Sequence, residues 1–218
     1  MSTLICFALK EEAAPFRKIA AGKPGVAILL TGIGRRNAEK SLREFLAARS
    51  PRLVLTCGFA GGLSPELKLG DVIFEISQPS TFNLQLSTRG ARPAKIFCAD
   101  RIATTVAKKK ILRAQTGADA VEMESAAIHA VCRERGIACA TVRVISDTAS
   151  EDLPLDFNAF VKPDMLTVAR PDKNLDFGKL FLAIAKSPGK IPALIKLQKQ
   201  TKFAAEQLAD VLAKITFP

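Results

Sequence analysis

The residues from Val121 to Asp147, VEMESAAIHAVCRERGIACATVRVISD, hold the side chains whose types and spacing best support chemistry. The segment has the pattern of a strand end, a helix and a second strand, with Glu124 after the first strand and Asp147 at the exit of the second. Ligands of open α/β sheets bind beyond the carboxyl ends of the strands. We therefore expect these two carboxyl groups and Arg143 to face one crevice, which predicts acid chemistry on a bound small molecule.

Apolar strands alternate with amphipathic helices along the chain, and this alternation predicts an α/β fold with helices packed on a sheet. Strands are predicted over 3–9, 25–31, 52–57, 71–76, 96–99 and 139–145. A further strand is predicted to end at residue 123. Helices are predicted over 10–21, 35–49, 100–112, 125–135 and 192–215. Residues 58–62 are predicted to form a glycine-rich turn, and the polar stretch that ends at residue 95 a loop or hairpin.

Length and composition favour one soluble globular domain. The chain has 218 residues, 48% of them hydrophobic, and no apolar run approaches the ~20 residues that cross a bilayer. No basic residue precedes the short apolar run at the N-terminus, so no secretory signal is predicted. Five scattered cysteines without a CxxC pair predict buried, reduced thiols of a cytoplasmic protein. With a single histidine, His129, neither a zinc site nor a Ser-His-Asp arrangement is expected.

The net charge of +11 attracts anions of several kinds without specifying which. Residues 179–202 carry six lysines and no acidic residue, so much of the excess lies near the C-terminus. Two interpretations stay open for this basic tail: a solvated helix face, or a peripheral contact with an anionic membrane. Nucleic acid is disfavoured as a partner, because Trp, Tyr and any recognisable nucleic-acid-binding module are absent.

Two glycine turns, TGIGRRNA and CGFAGGLSPELKLGD, each follow a predicted strand. Glycine in such turns lets backbone N–H groups approach a ligand, often a phosphate. A dinucleotide-binding turn would need a third glycine where Asn37 stands, so nicotinamide binding is disfavoured.

Four sequence blocks, taken in order, resemble the purine nucleoside phosphorylase and nucleosidase superfamily, and within it the methylthioadenosine/S-adenosylhomocysteine nucleosidase branch. They are FALKEE at Phe7–Glu12, TGIG at Thr31–Gly34, GFAGGLSPELKLGD at Gly58–Asp71, and VEMES followed by VRVISD. The resemblance implies a single three-layer domain over residues 1–170, with a central twisted mixed sheet flanked by helices. It also implies a homo-oligomer, while residues 171–218 are expected to form a basic helical extension that packs on the domain.

The resemblance further implies roles in cleaving an N-ribosidic bond. A purine is a poor leaving anion, so a positioned acid lowers the barrier by protonating it; Asp147 matches that acid, and burial would favour its neutral form. Glu124 matches the glutamate that binds the ribose, and Met123 would pack against the sugar. Glu12 matches the carboxylate that activates water in the hydrolytic branch, and Arg143 would bind phosphate or fix the glutamates. The remaining expected substrate-binding residues are Phe59, Ala60, Gly61, Gly32, Ile102 and Ser146.

Each of these residues also has a structural interpretation. Glu12 and Glu124 could be acids that favour the start of a helix, and Arg143 with Asp147 could form a structural ion pair.

Two positions depart from the nucleosidase pattern. Phe59 stands where the nucleosidases commonly have serine, and near Ile102 this chain lacks the aromatic residue that stacks on the base in those enzymes. The C-terminal segment resembles that of hopanoid-associated phosphorylases, which fits a lipid-linked nucleoside and a membrane-peripheral enzyme. We therefore expect cleavage of a purine nucleoside that bears adenine, without a cofactor and with inorganic phosphate slightly preferred over water as co-substrate. The alternatives are a hydrolytic methylthioadenosine/S-adenosylhomocysteine-type nucleosidase and a non-catalytic nucleoside- or lipid-binding module at a membrane surface.

Overall fold

The computed structural model describes residues 3–75, 81–159 and 188–217. Strands β1 to β8 are Thr3–Phe7, Val26–Leu30, Leu53–Gly62, Val72–Glu75, Arg92–Ala94, Ile96–Cys98, Ala120–Glu122 and Ala138–Asp147. Helices α1 to α6 are Lys10–Ala20, Arg35–Ala48, Thr81–Thr88, Val106–Thr116, Ser125–Glu134 and Ile191–Ala213. Short 3-10 helices lie at Phe157–Ala159 and Pro188–Lys190.

The eight described strands form one mixed sheet in which six lie in the order β2-β1-β3-β8-β4-β5. β1 pairs in parallel with β2 and β3, and β3 pairs in parallel with β8. β4 runs antiparallel to β8, and β7 pairs antiparallel with the last residues of β3. The carboxyl ends of β1, β3 and β8 therefore meet at one edge of the sheet, next to β7.

Helices cover both faces of the sheet and make three layers. On one face, α1 and α6 pack through Phe16, Leu208 and Leu212 against Ile5 and Leu55 of the sheet. On the other face, α2 and α5 pack a second cluster of buried residues: Leu4, Cys6, Val54, Leu42, Leu46, Ile128 and Val131. The expected three-layer α/β architecture with a mixed sheet is confirmed.

Several predicted boundaries were wrong, and pairing or capping explains the difference. β3 continues to Gly62 instead of turning at Gly58, because its end pairs with both β8 and β7. The fourth helix begins at Val106 rather than at residue 100. Thr105 caps this start, because its side chain accepts a hydrogen bond from the Lys108 amide at 3.2 Å. The polar stretch before residue 95 contains α3 and β5, while 76–80 lie outside the described residues.

The last helix, α6, packs the second half of its apolar stripe on the domain. Ala204, Leu208, Val211 and Ile215 are buried, as the periodicity predicted, whereas Leu197 is partly exposed. The predicted boundary at residue 170 lies outside the described residues. Among the described helices, none combines the length and apolarity needed to span a membrane.

Leu208→Ala tests the packing of α6. Leu208 is 1% exposed in the core cluster, so we expect the substitution to lower the free energy of unfolding by about 2–5 kcal/mol, because it leaves a cavity. Urea denaturation measures this change. Ile195→Ala is the matched control on the same helix, since Ile195 is 48% exposed; its cost should stay within about 0.5 kcal/mol. Equal losses in the two variants would show that α6 is not packed as described.

Candidate active site

A cavity of about 210 Å³ opens at the edge of the sheet where the carboxyl ends of β1, β3 and β8 meet. It contains most of the side chains singled out from the sequence. The predicted residues that line it are Glu12, Phe59, Ala60, Gly61, Ile102, Met123, Glu124, Ser146 and Asp147. Gly32 and Arg143 are not among its lining residues, and each has another place in the structure.

Gly32 follows β2 and bonds to the backbone rather than facing the cavity. Its amide donates to the carbonyl of Ala8 at 3.2 Å, and its φ of +83° is a conformation that glycine adopts without strain. The neighbouring Ile33 lines the cavity in its place.

Arg143 lies in β8 behind the cavity and is 1% exposed. Its guanidinium bonds to the carboxylate of Glu122, donates to Thr56 Oγ1 at 2.9 Å, and lies 3.5 Å from Glu124 Oε2. A buried charge is tolerated when it is paired and hydrogen-bonded. Of the two expected roles, the contacts favour fixing the glutamates over binding phosphate.

Glu122 is the glutamate that holds Arg143 most directly. Its carboxylate also accepts hydrogen bonds from the amides of Glu124 and Ser125 at 2.9 Å each and from Ser125 Oγ at 2.5 Å, so it caps the start of α5. Burial disfavours its charged form, but Arg143 and these donors outweigh burial and lower the pKa of Glu122. Glu122 is therefore the anionic partner of the buried arginine.

Glu124 reaches from the end of β7 to the start of α2. Its Oε1 accepts a hydrogen bond from the Gly34 amide at 2.9 Å, and its other oxygen faces Arg143. Burial raises the pKa of Glu124 to about 7, since the attraction of Arg143 is opposed by the nearby charges of Glu122 and Glu12. Near neutral pH this side chain can therefore both accept and release a proton.

Glu12 lies in the first turn of α1 and links that helix to β3. Its carboxylate accepts hydrogen bonds from the Phe59 amide at 2.8 Å and from the Leu9 amide at 2.9 Å. Burial raises the pKa of Glu12, against the opposing effects of the Phe59 amide and Arg143. A buried carboxylate with a raised pKa suits a general base better than an ordinary surface glutamate does.

Gly58 lets Glu12 and Arg143 approach each other. A Cβ atom at this position would lie 2.6 Å from Glu12 Oε1 and 2.9 Å from Arg143 Nη1, closer than packed atoms come. The φ of +146° at Gly58 is also a conformation that other residues rarely adopt. Glycine is therefore required at this point for the carboxylate and the guanidinium to share one space.

Asp147 is the last residue of β8 and lines the same cavity. Its Oδ1 accepts a hydrogen bond from Ser146 Oγ at 2.8 Å, and its Oδ2 lies 2.5 Å from the ammonium of Lys109. The backbone of Gly61 lies against this carboxyl group, where a Cβ would be 3.3 Å from Oδ2. The alternative of a structural pair between Arg143 and Asp147 is wrong, because Arg143 bonds to glutamates and Asp147 bonds to Lys109.

Sequence reasoning missed two charged residues of this site, Glu122 and Lys109. Each carried a weak signal. Glu122 directly follows the apolar residues Ala120 and Val121 in a short strand. All three residues of this strand are buried. Lys109 is three residues from both Val106 and Leu112, so it falls on the inward side of α4, although the run of three lysines suggested a solvated face.

Apolar side chains line the rest of the cavity. They include Phe59 and Ile102, with Leu153, Phe157 and Leu197 further out. Asn158 holds the Ile102 backbone through bonds of 2.8 Å to its amide and 3.0 Å to its carbonyl. The cavity therefore combines an apolar wall with several carboxyl groups, an arrangement that suits an uncharged ligand with polar edges. The described residues contain no group of three or more His, Cys, Asp and Glu side chains placed to hold a metal ion.

Comparison with known proteins identifies the family and supports the fold. The family model described as the Phosphorylase superfamily matches residues 9–74 and 93–170. The 5′-methylthioadenosine/S-adenosylhomocysteine nucleosidase of Marinomonas sp. (strain MWYL1) is 28% identical over 172 residues, which is 63% of this chain and 74% of the relative. The protein of the same name from Shewanella halifaxensis (strain HAW-EB4) is 25% identical over 176 residues, covering 65% and 76% of the two chains.

Solved structures share the fold over nearly the whole chain. Futalosine hydrolase of Helicobacter pylori strain 26695 superposes with a TM-score of 0.70 at 17% identity, covering 98% of this chain and 96% of that one. A 5′-methylthioadenosine/S-adenosylhomocysteine nucleosidase of Helicobacter pylori gives a TM-score of 0.68 at 17% identity, with 97% and 96% covered. The family model covers more than half of the chain, and the expected family and the expectation of an enzyme are confirmed. The chain belongs to the phosphorylase superfamily.

Proposed function

We propose that this protein is a hydrolytic nucleosidase that cleaves the N-ribosidic bond of a purine nucleoside bearing adenine. The observation that carries the proposal is that the side chains of Asp147, Glu12 and Glu124 line one and the same cavity. The named activity of the sequence relatives, 5′-methylthioadenosine/S-adenosylhomocysteine nucleosidase, supports the same reaction class. The proposed reaction consumes water and needs no cofactor.

Asp147 is proposed to act on the leaving base. Breaking the C–N bond pushes an electron pair onto the purine, and a proton delivered to a ring nitrogen stabilises that charge. Asp147 lies at the end of β8 with its Oδ1 held by Ser146, so its carboxyl group has a fixed direction in the cavity. Met123 and the apolar residues Phe59 and Ile102 would enclose the nucleoside.

Glu124 and Glu12 are proposed to act on the sugar and the water. The ribose gains oxocarbenium character as the bond breaks, and an anion positioned where this charge develops lowers the barrier. Glu124 in its ionised form would accept hydrogen bonds from ribose hydroxyls. Glu12, held by two backbone amides, would take a proton from the water that attacks the sugar.

The local charge favours water over phosphate as the nucleophile. Three buried carboxyl groups, those of Glu12, Glu122 and Glu124, surround Arg143, whose charge they already engage. Among the described residues that line the cavity, Arg101 alone is cationic, and it is exposed on the loop after β6. The sequence-based preference for phosphate rested on a net charge of +11, which does not describe the charge at this site. We therefore prefer the hydrolytic alternative.

Other sequence-based expectations stay predictions. A lipid-linked substrate, a membrane contact of the basic helix α6 and homo-oligomeric assembly are not tested by any contact of the described residues. The non-catalytic binding module is disfavoured, because a pocket that only binds would not need four carboxyl groups buried at its wall at the cost of their desolvation.

Release of free base from a panel of nucleosides tests the proposal. The panel contains methylthioadenosine, adenosine, inosine and a 5′-alkyl-substituted deoxyadenosine, each with and without inorganic phosphate. We expect release of adenine at the same rate in both conditions. Release that requires phosphate would establish a phosphorylase instead, and no release from any member would support the binding module.

Glu12→Gln tests the water-activating role. The amide cannot accept a proton, so we expect kcat to fall by about 10²–10⁴-fold, the usual contribution of a general base, with a much smaller change in KM. Glu11→Gln is the matched control, because Glu11 is the exposed neighbour on the same helix. Its kcat should stay within about twofold of the wild type. A kcat unchanged in Glu12→Gln would reject Glu12 as the base.

The pH dependence of kcat/KM tests the ionised state of Glu124. Its pKa of about 7 means that the carboxyl group is protonated on the acid side of this value and ionised above it. Because the proposed role needs the anion, kcat/KM should decline as the pH falls below about 7, and the raised pKa of Glu12 acts in the same direction. The residual activity of Glu124→Gln should show a weaker acid limb. A profile that is flat from about pH 5 to pH 8 would contradict the assignment.

A further inference from the structure

Lys109 is a buried lysine next to the proposed acid. It lies in α4, is 1% exposed, and its neighbours Lys108 and Lys110 on the same helix are both exposed. A buried ammonium loses its hydration, and this loss must be offset by close acceptors. Its position therefore depends on the oxygens that surround it.

Three oxygens from one short segment of chain surround the ammonium. Nζ lies 2.5 Å from Asp147 Oδ2, 2.6 Å from the carbonyl oxygen of Thr148 and 2.9 Å from that of Glu151. An ammonium has three N–H donors, so all three are used. The number of acceptors therefore matches the number of donors on the side chain.

The same loop is joined to the helix that borders the cavity. The Glu151 carboxylate accepts hydrogen bonds from the Thr148 amide at 3.1 Å, from Lys196 at 2.8 Å and from Gln200 at 3.0 Å. Lys196 and Gln200 belong to α6, and Leu197 of that helix lines the cavity. Lys109 thus fixes the acid, and the loop behind it, relative to the cavity wall.

We propose that Lys109 is a positioning residue for Asp147, and this inference rests on the proposed nucleosidase function. It extends the expectation that Asp147 has a burying environment, because a buried ammonium also lies 2.5 Å from its Oδ2. By occupying Oδ2, Lys109 leaves Oδ1, held by Ser146, as the oxygen that delivers the proton. By its charge, it stabilises the carboxylate that remains after delivery.

The step balances without a further reactant. The electron pair of the C–N bond goes to the purine, and the proton of Asp147 moves to a purine nitrogen. The water oxygen forms the new C–O bond and gives a proton to Glu12, while Lys109 keeps all of its protons. Solvent exchange then returns one proton to Asp147 and removes one from Glu12, so that the sum is nucleoside and water giving base and sugar.

Two substitutions distinguish the effect of the Lys109 charge from the effect of its hydrogen bonds to the loop. Lys109→Gln keeps N–H donors for the loop carbonyls but removes the charge, whereas Lys109→Arg keeps the charge. We expect kcat of Lys109→Gln on the nucleoside that the wild type cleaves to fall by about 10–100-fold, with KM within about threefold. Lys109→Arg should retain at least about a tenth of the wild-type kcat, and Lys110→Gln, the exposed control, should match the wild type.

The same assay identifies the outcomes that overturn the inference. A folded Lys109→Gln with wild-type kcat, or equal losses in Lys109→Gln and Lys109→Arg, would show that the charge plays no part. If circular dichroism shows that Lys109→Gln does not fold, the test rests on Lys109→Arg. A fall in the kcat of Lys109→Arg well beyond tenfold would then overturn the proposal. A wild type that releases no base with or without phosphate would overturn the proposed function together with this inference, whereas an active wild type with a normal Lys109→Gln overturns the inference alone.

Discussion

The burial of Arg143 under three carboxyl groups is the interaction on which the rest of the site depends. A guanidinium in the middle of a sheet must be paired, and the acids around it come from different parts of the chain: Glu122 ends β7, Glu124 precedes α5, and Glu12 lies in the first turn of α1. Satisfying this one charge therefore fixes the start of two helices against the ends of the central strands. This arrangement requires glycine at position 58, because any other residue would leave no room for the Glu12 carboxylate and the Arg143 guanidinium together.

The balance between burial and charge around Arg143 also determines how the nearby carboxyl groups bind protons. Burial raises the pKa of Glu12 and of Glu124, and one guanidinium does not offset it for both, whereas Arg143 and hydrogen bonds together lower the pKa of Glu122. Asp147 has a cation of its own in Lys109. In the proposed reaction, Asp147 would act on the base of a nucleoside, whereas Glu12 and Glu124 would act on the water and the sugar.

The sequence predicted the fold class, the order of most elements and three of the four carboxyl groups that line the cavity, because hydrophobic period and ordered motif blocks are local signals. It could not predict which charges pair. Arg143 is four residues from Asp147 in sequence, yet its side chain points to glutamates, because the pairing depends on the register of β3 against β8 and on the antiparallel contact of β7. Lys109 was missed for the same reason, since burial of one lysine among three is decided by the loop that packs over α4. The preference for phosphate came from the net charge of the whole chain, whereas the proposal of hydrolysis rests on the charge of the cavity.

Identification of the sugar product in the presence of excess inorganic phosphate tests the central claim most directly. A cavity whose nucleophile is activated by Glu12, and whose arginine is already engaged by carboxylates, should transfer the ribosyl group to water. The account predicts free reducing sugar in equal amount to the released base, with no sugar phosphate signal in the ³¹P spectrum. Sugar 1-phosphate formed in proportion to the base would contradict it, because the carboxylate cluster would then have to admit an anion.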